Sequence, residues 1–150
     1  GSYIHAKSLQ DKKIKVKGMI CLEMIGFFSD EQDSQSYPLS ILKVFYPKVG
    51  NYIAVISNFR SSSFSRQIAR HMKTASIEVR NLAAPSFIKG IDFSDHRNYW
   101  NFGYDAVMIT DTSFYRNANY HKTTDTMDTL NFVKMREVTK GVCWSILNMK

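Results

Sequence analysis

Cysteine, proline and glycine are all scarce: the 150 residues hold 2 cysteines, 3 prolines and 7 glycines. Cys21 and Cys143 sit in the apolar contexts "MICLEM" and "GVCWSIL", the usual surroundings of buried free thiols. They make neither a CxxC redox motif nor a metal-ligand spacing, and a disulfide between them is left open. No window approaches the run of about 18 apolar residues that a membrane-spanning helix needs. The N-terminal "GSYIHAKSLQ" has no basic stretch followed by an apolar one, so no signal peptide is visible. It does not begin with Met either, as in a processed chain or a piece of a longer one. HExxH, a Gly-rich phosphate loop and a GxSxG nucleophile elbow are all missing. With no repeat, low-complexity tract or linker, the expectation is one domain over residues 1–150, long enough to bury a core.

Positive charge is plentiful, with 20 Lys and Arg against 13 Asp and Glu. Its densest cluster, "KKIKVK" at residues 12–17, alternates Lys13, Lys15 and Lys17 with Ile14 and Val16. Period two predicts a solvated strand face or a lysine-protected sheet edge. Neither a nucleic-acid partner nor a membrane partner is expected.

Strand-like and helix-like segments alternate, which predicts an α/β domain. "SYIHAKSLQDKK" reads as a short helix and "IKVKGMICLEMIGFF" as a long strand. Residues 29–50 form a long polar loop with two of the prolines, a connection that is functional or packed by its own aromatics. "NYIAVISNF" is a strand, "SSSFSRQIARHM" a helix with serines at its start, and "SIEVRNLAAPSFIKGIDF" irregular with one short strand. Ser94 or Asp95 caps a helix that stops near Gly103, and "YDAVMIT" is a buried strand ending at Asp111. The last helix starts near Thr126 to Asp128, with Leu130, Val133, Val138, Val142 and Leu147 as its apolar face.

Polar residues that follow or interrupt strands matter, because ligands of open α/β sheets bind beyond the carboxyl ends of strands. Glu23 interrupts an apolar strand, where a carboxylate is costly to bury unless paired or bound to a metal, or else turns to solvent. Asp111 ends a strand, His121 lies in the loop beyond it, and Asp95 and His96 open a helix. Asp125 and Asp128 most simply cap the last helix, and Tyr120 most simply packs. The residues alone give an α/β domain with a carboxylate and a histidine as candidates for one site.

The segments "CLEMIG", "GNYIAVISN" and "SDHRNYWNFGYDAVMITDTSFYRNANYHKTTDTMDTL" resemble the C-terminal part of zinc aminopeptidases of the M28 peptidase family. The resemblance covers nearly the whole chain and is most specific over residues 94–130. It implies a mixed, mostly parallel sheet flanked by helices and a site of two zinc ions acting on a peptide substrate. Within that site Glu23 would ligate one ion and His121 the other, and Tyr120 would donate a hydrogen bond to the oxyanion. Asp95 would orient a ligand from behind.

The family also needs an earlier histidine, a bridging aspartate and a Glu-Glu pair, and none is present. The chain is therefore expected to be a C-terminal portion, inactive alone, binding zinc weakly or not at all, with an exposed sheet edge open to self-association. Two alternatives stay open: a single-zinc cyclase of N-terminal glutamine, and a non-catalytic binding domain that keeps the fold without the site.

Overall fold

The computed structural model describes residues 1–149. Its elements, in chain order, are α1 (Ser2–Asp11), β1 (Met19–Leu22), α2 (Leu42–Phe45), β2 (Tyr52–Ser57), α3 (Ser62–Met72), β3 (Glu78–Ala83), α4 (His96–Asn101), β4 (Ala106–Thr110) and α5 (Phe132–Asn148). Single 3-10 turns occupy Ser113–Tyr115 and Met127–Thr129. The strands make one sheet in the order β1-β4-β2-β3. β1 runs parallel to β4 and β2 to β3, and the central β2–β4 pair is antiparallel. The expected mixed, mostly parallel sheet flanked by helices is the fold observed.

β2 is a central strand, paired on both sides, and is buried along its whole length. Alternation divides it: Ile53 and Val55 join Val107 and Ile109 under α3 and α5, with Ile68, Met72, Val138 and Val142 facing them. Tyr52, Ala54 and Ile56 point the other way, with Met108, and meet Ala84 and Ile91. No long helix roofs this second face; α4 and α1 close only one end of it, around Ala6, Tyr99 and Ala106. The uncovered part is where the cleft described below opens.

Three expectations change. "KKIKVK" is not a strand: the Ile14 amide donates to Leu9 O at 2.8 Å, Lys13 turns left-handed at φ 54°, and strand pairing begins only at Met19. The amides of Lys12, Lys13 and Ile14 close α1 and are not free to pair with a strand. The last helix begins later than expected and its cap is Asn131, whose side chain accepts from the Lys134 amide at 3.0 Å, while Asp125 instead accepts from Asn117. Its buried stripe also differs, since Val133 and Leu147 are exposed while Gly141 and Ser145 are buried beside Val138 and Val142. Small residues are selected there by the close approach of α3: a Cβ on Gly141 would lie 3.2 Å from the Met72 Cα and carbonyl oxygen. Gly141→Val is expected to cost about 2 kcal/mol through overpacking against backbone that cannot step aside; a urea midpoint equal to the parent's would refute this. Both cysteines are free, Cys21 buried and Cys143 exposed, so no disulfide joins them.

Candidate active site

β1 and β4 run parallel, so their carboxyl ends lie at one edge of the sheet, and the chain leaves both by unusual backbone. The ladder carries on past β1: the Glu23 amide donates to Ile109 O at 3.0 Å, and Met24 O accepts from the Asp111 amide at 2.6 Å. Met24 then turns left-handed at φ 52°, a conformation disfavoured for a side chain with a Cβ, and ends the strand. The long apolar run from Ile14 to Phe28 thus yields only four residues of strand. Across from it, Thr112 and Ser113 take φ 78° and 45°, and His121 takes 59°. Of the six left-handed non-glycine residues among those described, four therefore flank this edge, a concentration of strain typical of functional sites.

Asp111 holds both exits together. Its carboxylate is 1% exposed and accepts the Gly26 and Phe27 amides on Oδ2, at 3.1 and 2.8 Å, and the Ser113 amide on Oδ1 at 2.9 Å. Burial raises its pKa to about 6, outweighing the three amide donors and the nearby Arg116 guanidinium, which pull the other way. Arg116 is buried as well, donating to Gln35 Oε1, Tyr52 O and Phe27 O, with its guanidinium 4.7 Å from the Tyr52 ring centroid. One carboxylate and one guanidinium thus tie the segment after Glu23 to the segment that leads to Tyr120.

Glu23 and Tyr120 line the same cleft, about 820 Å³ including its open mouth. Its floor is the second sheet face, with Ala54, Ile56, Met108 and Thr110. The loop at 29–50 supplies one wall and packs by its own aromatics, as expected. Tyr37 donates to Pro47 O at 2.6 Å, which leaves the Tyr52 hydroxyl to donate to Tyr37 Oη at 3.0 Å. Burial raises the pKa of Tyr37 and of Tyr52, so both phenols are neutral donors at physiological pH. The opposite wall is a run of rings: Phe93 lies 6.1 Å from Phe114, and Phe114 lies 5.7 Å from Tyr120. Lys89, 5.5 Å above the Phe114 ring, sets a cation beside that wall.

His121 does not line the cleft. It is exposed and reaches the cleft's edge through its stack on Tyr120, the ring centroids 3.9 Å apart and the planes at 16°. Asp95 is exposed at the head of α4, where it accepts from Ser2 Oγ at 2.7 Å, and it faces a neighbouring open depression that shares Phe93 with the cleft. The structure therefore brings Glu23, Tyr120 and, through the stack, His121 to one edge, and leaves Asp95 beside it. The buried imidazole of His96 is structural: Nε2 lies 2.7 Å from Ile91 O and burial lowers its pKa, so it stays neutral and donates there. Among the described residues, no group of three or more histidine, cysteine, aspartate or glutamate side chains converges on a metal position.

The fold resembles that of proteins already solved. The fold superposes on the crystal structure of the Legionella pneumophila LapA aminopeptidase with a TM-score of 0.68 at 21% identity, over 100% of this chain and 36% of that one. LapB from Legionella pneumophila gives 0.67 at 20% identity, over 98% and 35%. At such identity the likeness is one of fold. In sequence, the chain is 44% identical over 151 aligned positions to the uncharacterized protein YfbL of Escherichia coli (strain K12). It spans 46% of YfbL's length, a little under half of that relative. No family model matches the chain.

Proposed function

We propose that this chain is the C-terminal part of a di-zinc aminopeptidase of the M28 type, which removes N-terminal residues from peptides. One observation carries the reading: Glu23 and Tyr120, remote in sequence, line one aromatic cleft at the carboxyl ends of parallel strands, with His121 stacked on the tyrosine. The likeness in fold to an aminopeptidase supports it.

In this reading the cleft takes the side chain of the substrate's first residue. Tyr37, Tyr46, Phe93 and Phe114 line it, so apolar and aromatic residues are favoured there. The Tyr120 hydroxyl donates to the oxygen that becomes an oxyanion. Zinc would take Glu23 on one ion and His121 on the other. A catalytic zinc uses three protein ligands, so one donor per ion does not fit the metal, and hydrolysis requires a longer polypeptide that brings the rest. β1 is an outer strand of the sheet, and its free edge beside Glu23 is where strands of that polypeptide, or a second copy, would pair.

Two measurements test the proposal. Calorimetric zinc titration of the isolated chain is expected to show no saturation in the micromolar range, with His121→Ala indistinguishable from the parent. Tight binding that the mutation removes would mean that the donors already suffice, contrary to the incomplete-site reading. In the longer polypeptide, cleavage of leucyl- and tyrosyl-p-nitroanilide should be zinc-dependent and should drop to background in His121→Ala. A zinc-loaded full-length protein inert toward every aminoacyl substrate would instead leave a non-catalytic binding domain.

A further inference from the structure

The segment around α2 lies beside the cleft but faces away from it in part. Leu39, Ile41, Val44 and Phe45 are between 46% and 73% exposed, so four large apolar side chains stand in water within seven positions. Lys43 sits among them and Lys48 follows. Phe45 also lines an open depression with Arg66, Arg70, Lys73 and Arg80. Arg66 and Arg70 come from α3, which carries no acidic residue. Among the described residues, no carboxylate lies within 4.0 Å of Lys43, Arg66, Arg70 or Lys73. The apolar wedge and the unneutralised basic face are thus neighbours on one surface.

We infer that this surface binds the face of an anionic lipid bilayer, with Leu39, Ile41, Val44 and Phe45 entering the interfacial layer and Lys43, Arg66, Arg70 and Lys73 meeting lipid phosphates. Shallow apolar insertion combined with flanking Lys and Arg is how peripheral segments hold to membranes. The apolar groups come from nearly consecutive positions of a four-residue helix and its approach, a contact for which a fluid interface needs no matching groove. No helix of the described residues is long and apolar enough to cross a membrane, and the inference requires none. It is independent of the proposed peptidase activity, because none of the four apolar residues lines the cleft.

The test is flotation of the chain with vesicles of phosphatidylcholine alone and of phosphatidylcholine with phosphatidylglycerol in equal parts, at low salt. Recovery with the anionic vesicles is expected, and added salt should weaken it. Val44→Ser combined with Phe45→Ser should weaken binding about tenfold or more, given the apolar area removed from insertion. Arg66→Gln and Arg70→Gln should each weaken it about fivefold. Leu39→Ser with Ile41→Ser is a parallel pair, should the first lose its native far-UV spectrum. A chain that stays at the bottom of the gradient, or serine variants that float like the parent, would overturn the inference. So would equal recovery on neutral vesicles, which would leave the basic face without a role. A dimer on size exclusion that the serine variants dissolve would assign the wedge to a second copy instead.

Discussion

Asp111→Asn is expected to lower the stability of the folded chain by about 2–4 kcal/mol, a large share of the total for a domain of this size. Asparagine has nearly the same shape, but one of its two terminal atoms is a donor. Whichever way the amide turns, an N–H faces either the Ser113 amide or the Gly26 and Phe27 amides, which the carboxylate now accepts. At least one buried backbone donor loses its partner, and Arg116, buried nearby, loses a negative neighbour. The cost also depends on pH. With a folded pKa of about 6 against 3.8 in a free carboxyl, the folded chain holds this proton more tightly than the unfolded chain. Stability from Asp111 is therefore greatest below the unfolded value and falls as pH rises toward and through 6, by about 3 kcal/mol in all. The variant has no such proton, so its deficit should be larger at pH 4.5 than at pH 7.5. Urea denaturation of both proteins at the two values decides the matter: equal deficits would mean that Asp111 is ionised throughout and that burial does not govern it.

The consequence for the site is as direct as that for stability. Among the described residues, Asp111 is the only side chain that bonds the backbone on both exits, so loosening it releases the turn after Glu23 and the turn before Tyr120 together. Nothing in the periodicity of the sequence marks that role. The strand "AVMIT" is legible from its unbroken apolar character, and so is the position of Asp111 after it; what Asp111 reaches is not, because Gly26 and Phe27 lie far away in the chain. The same holds for the cleft. Each wall comes from a different stretch, around Tyr37, Tyr52, Phe93 and Phe114, and only the sheet order makes them neighbours. Local signals fared better where the chain's own period decides the outcome, as in α3, whose Phe64, Ile68 and Met72 are all buried. They failed where a neighbour sets the answer. The lysine alternation at 13–17 has strand period but no partner strand, and α5 buries glycine and serine because α3 comes too close for larger side chains. Glu23, whose direction the sequence left undecided, lines the cleft: it stays in the ladder beside Ile109 and shares the sheet face of Cys21, whose thiol meets Ser94 Oγ.

On the aminopeptidase reading proposed above, Tyr120→Phe should lower kcat of the longer polypeptide by about 10²–10³ while KM changes little. The hydroxyl is the only group removed. The ring still stacks on His121 at 3.9 Å and still meets Phe114, so the wall of the cleft and the seat of the imidazole survive. An interaction that forms mainly as the carbonyl oxygen becomes negative is absent from the bound substrate, so its loss appears in kcat rather than in KM. Zinc content should be unchanged, which separates this variant from Glu23→Gln, where a carboxylate donor is replaced by a poor one and metal should be lost along with rate. The pattern of the two variants discriminates between roles that share one cleft. If Tyr120→Phe raised KM and left kcat intact, the tyrosine would be a wall of the substrate pocket and nothing more. If it released zinc, the hydroxyl itself would be holding the metal site together, and the oxyanion would have to find its donor elsewhere in the longer polypeptide.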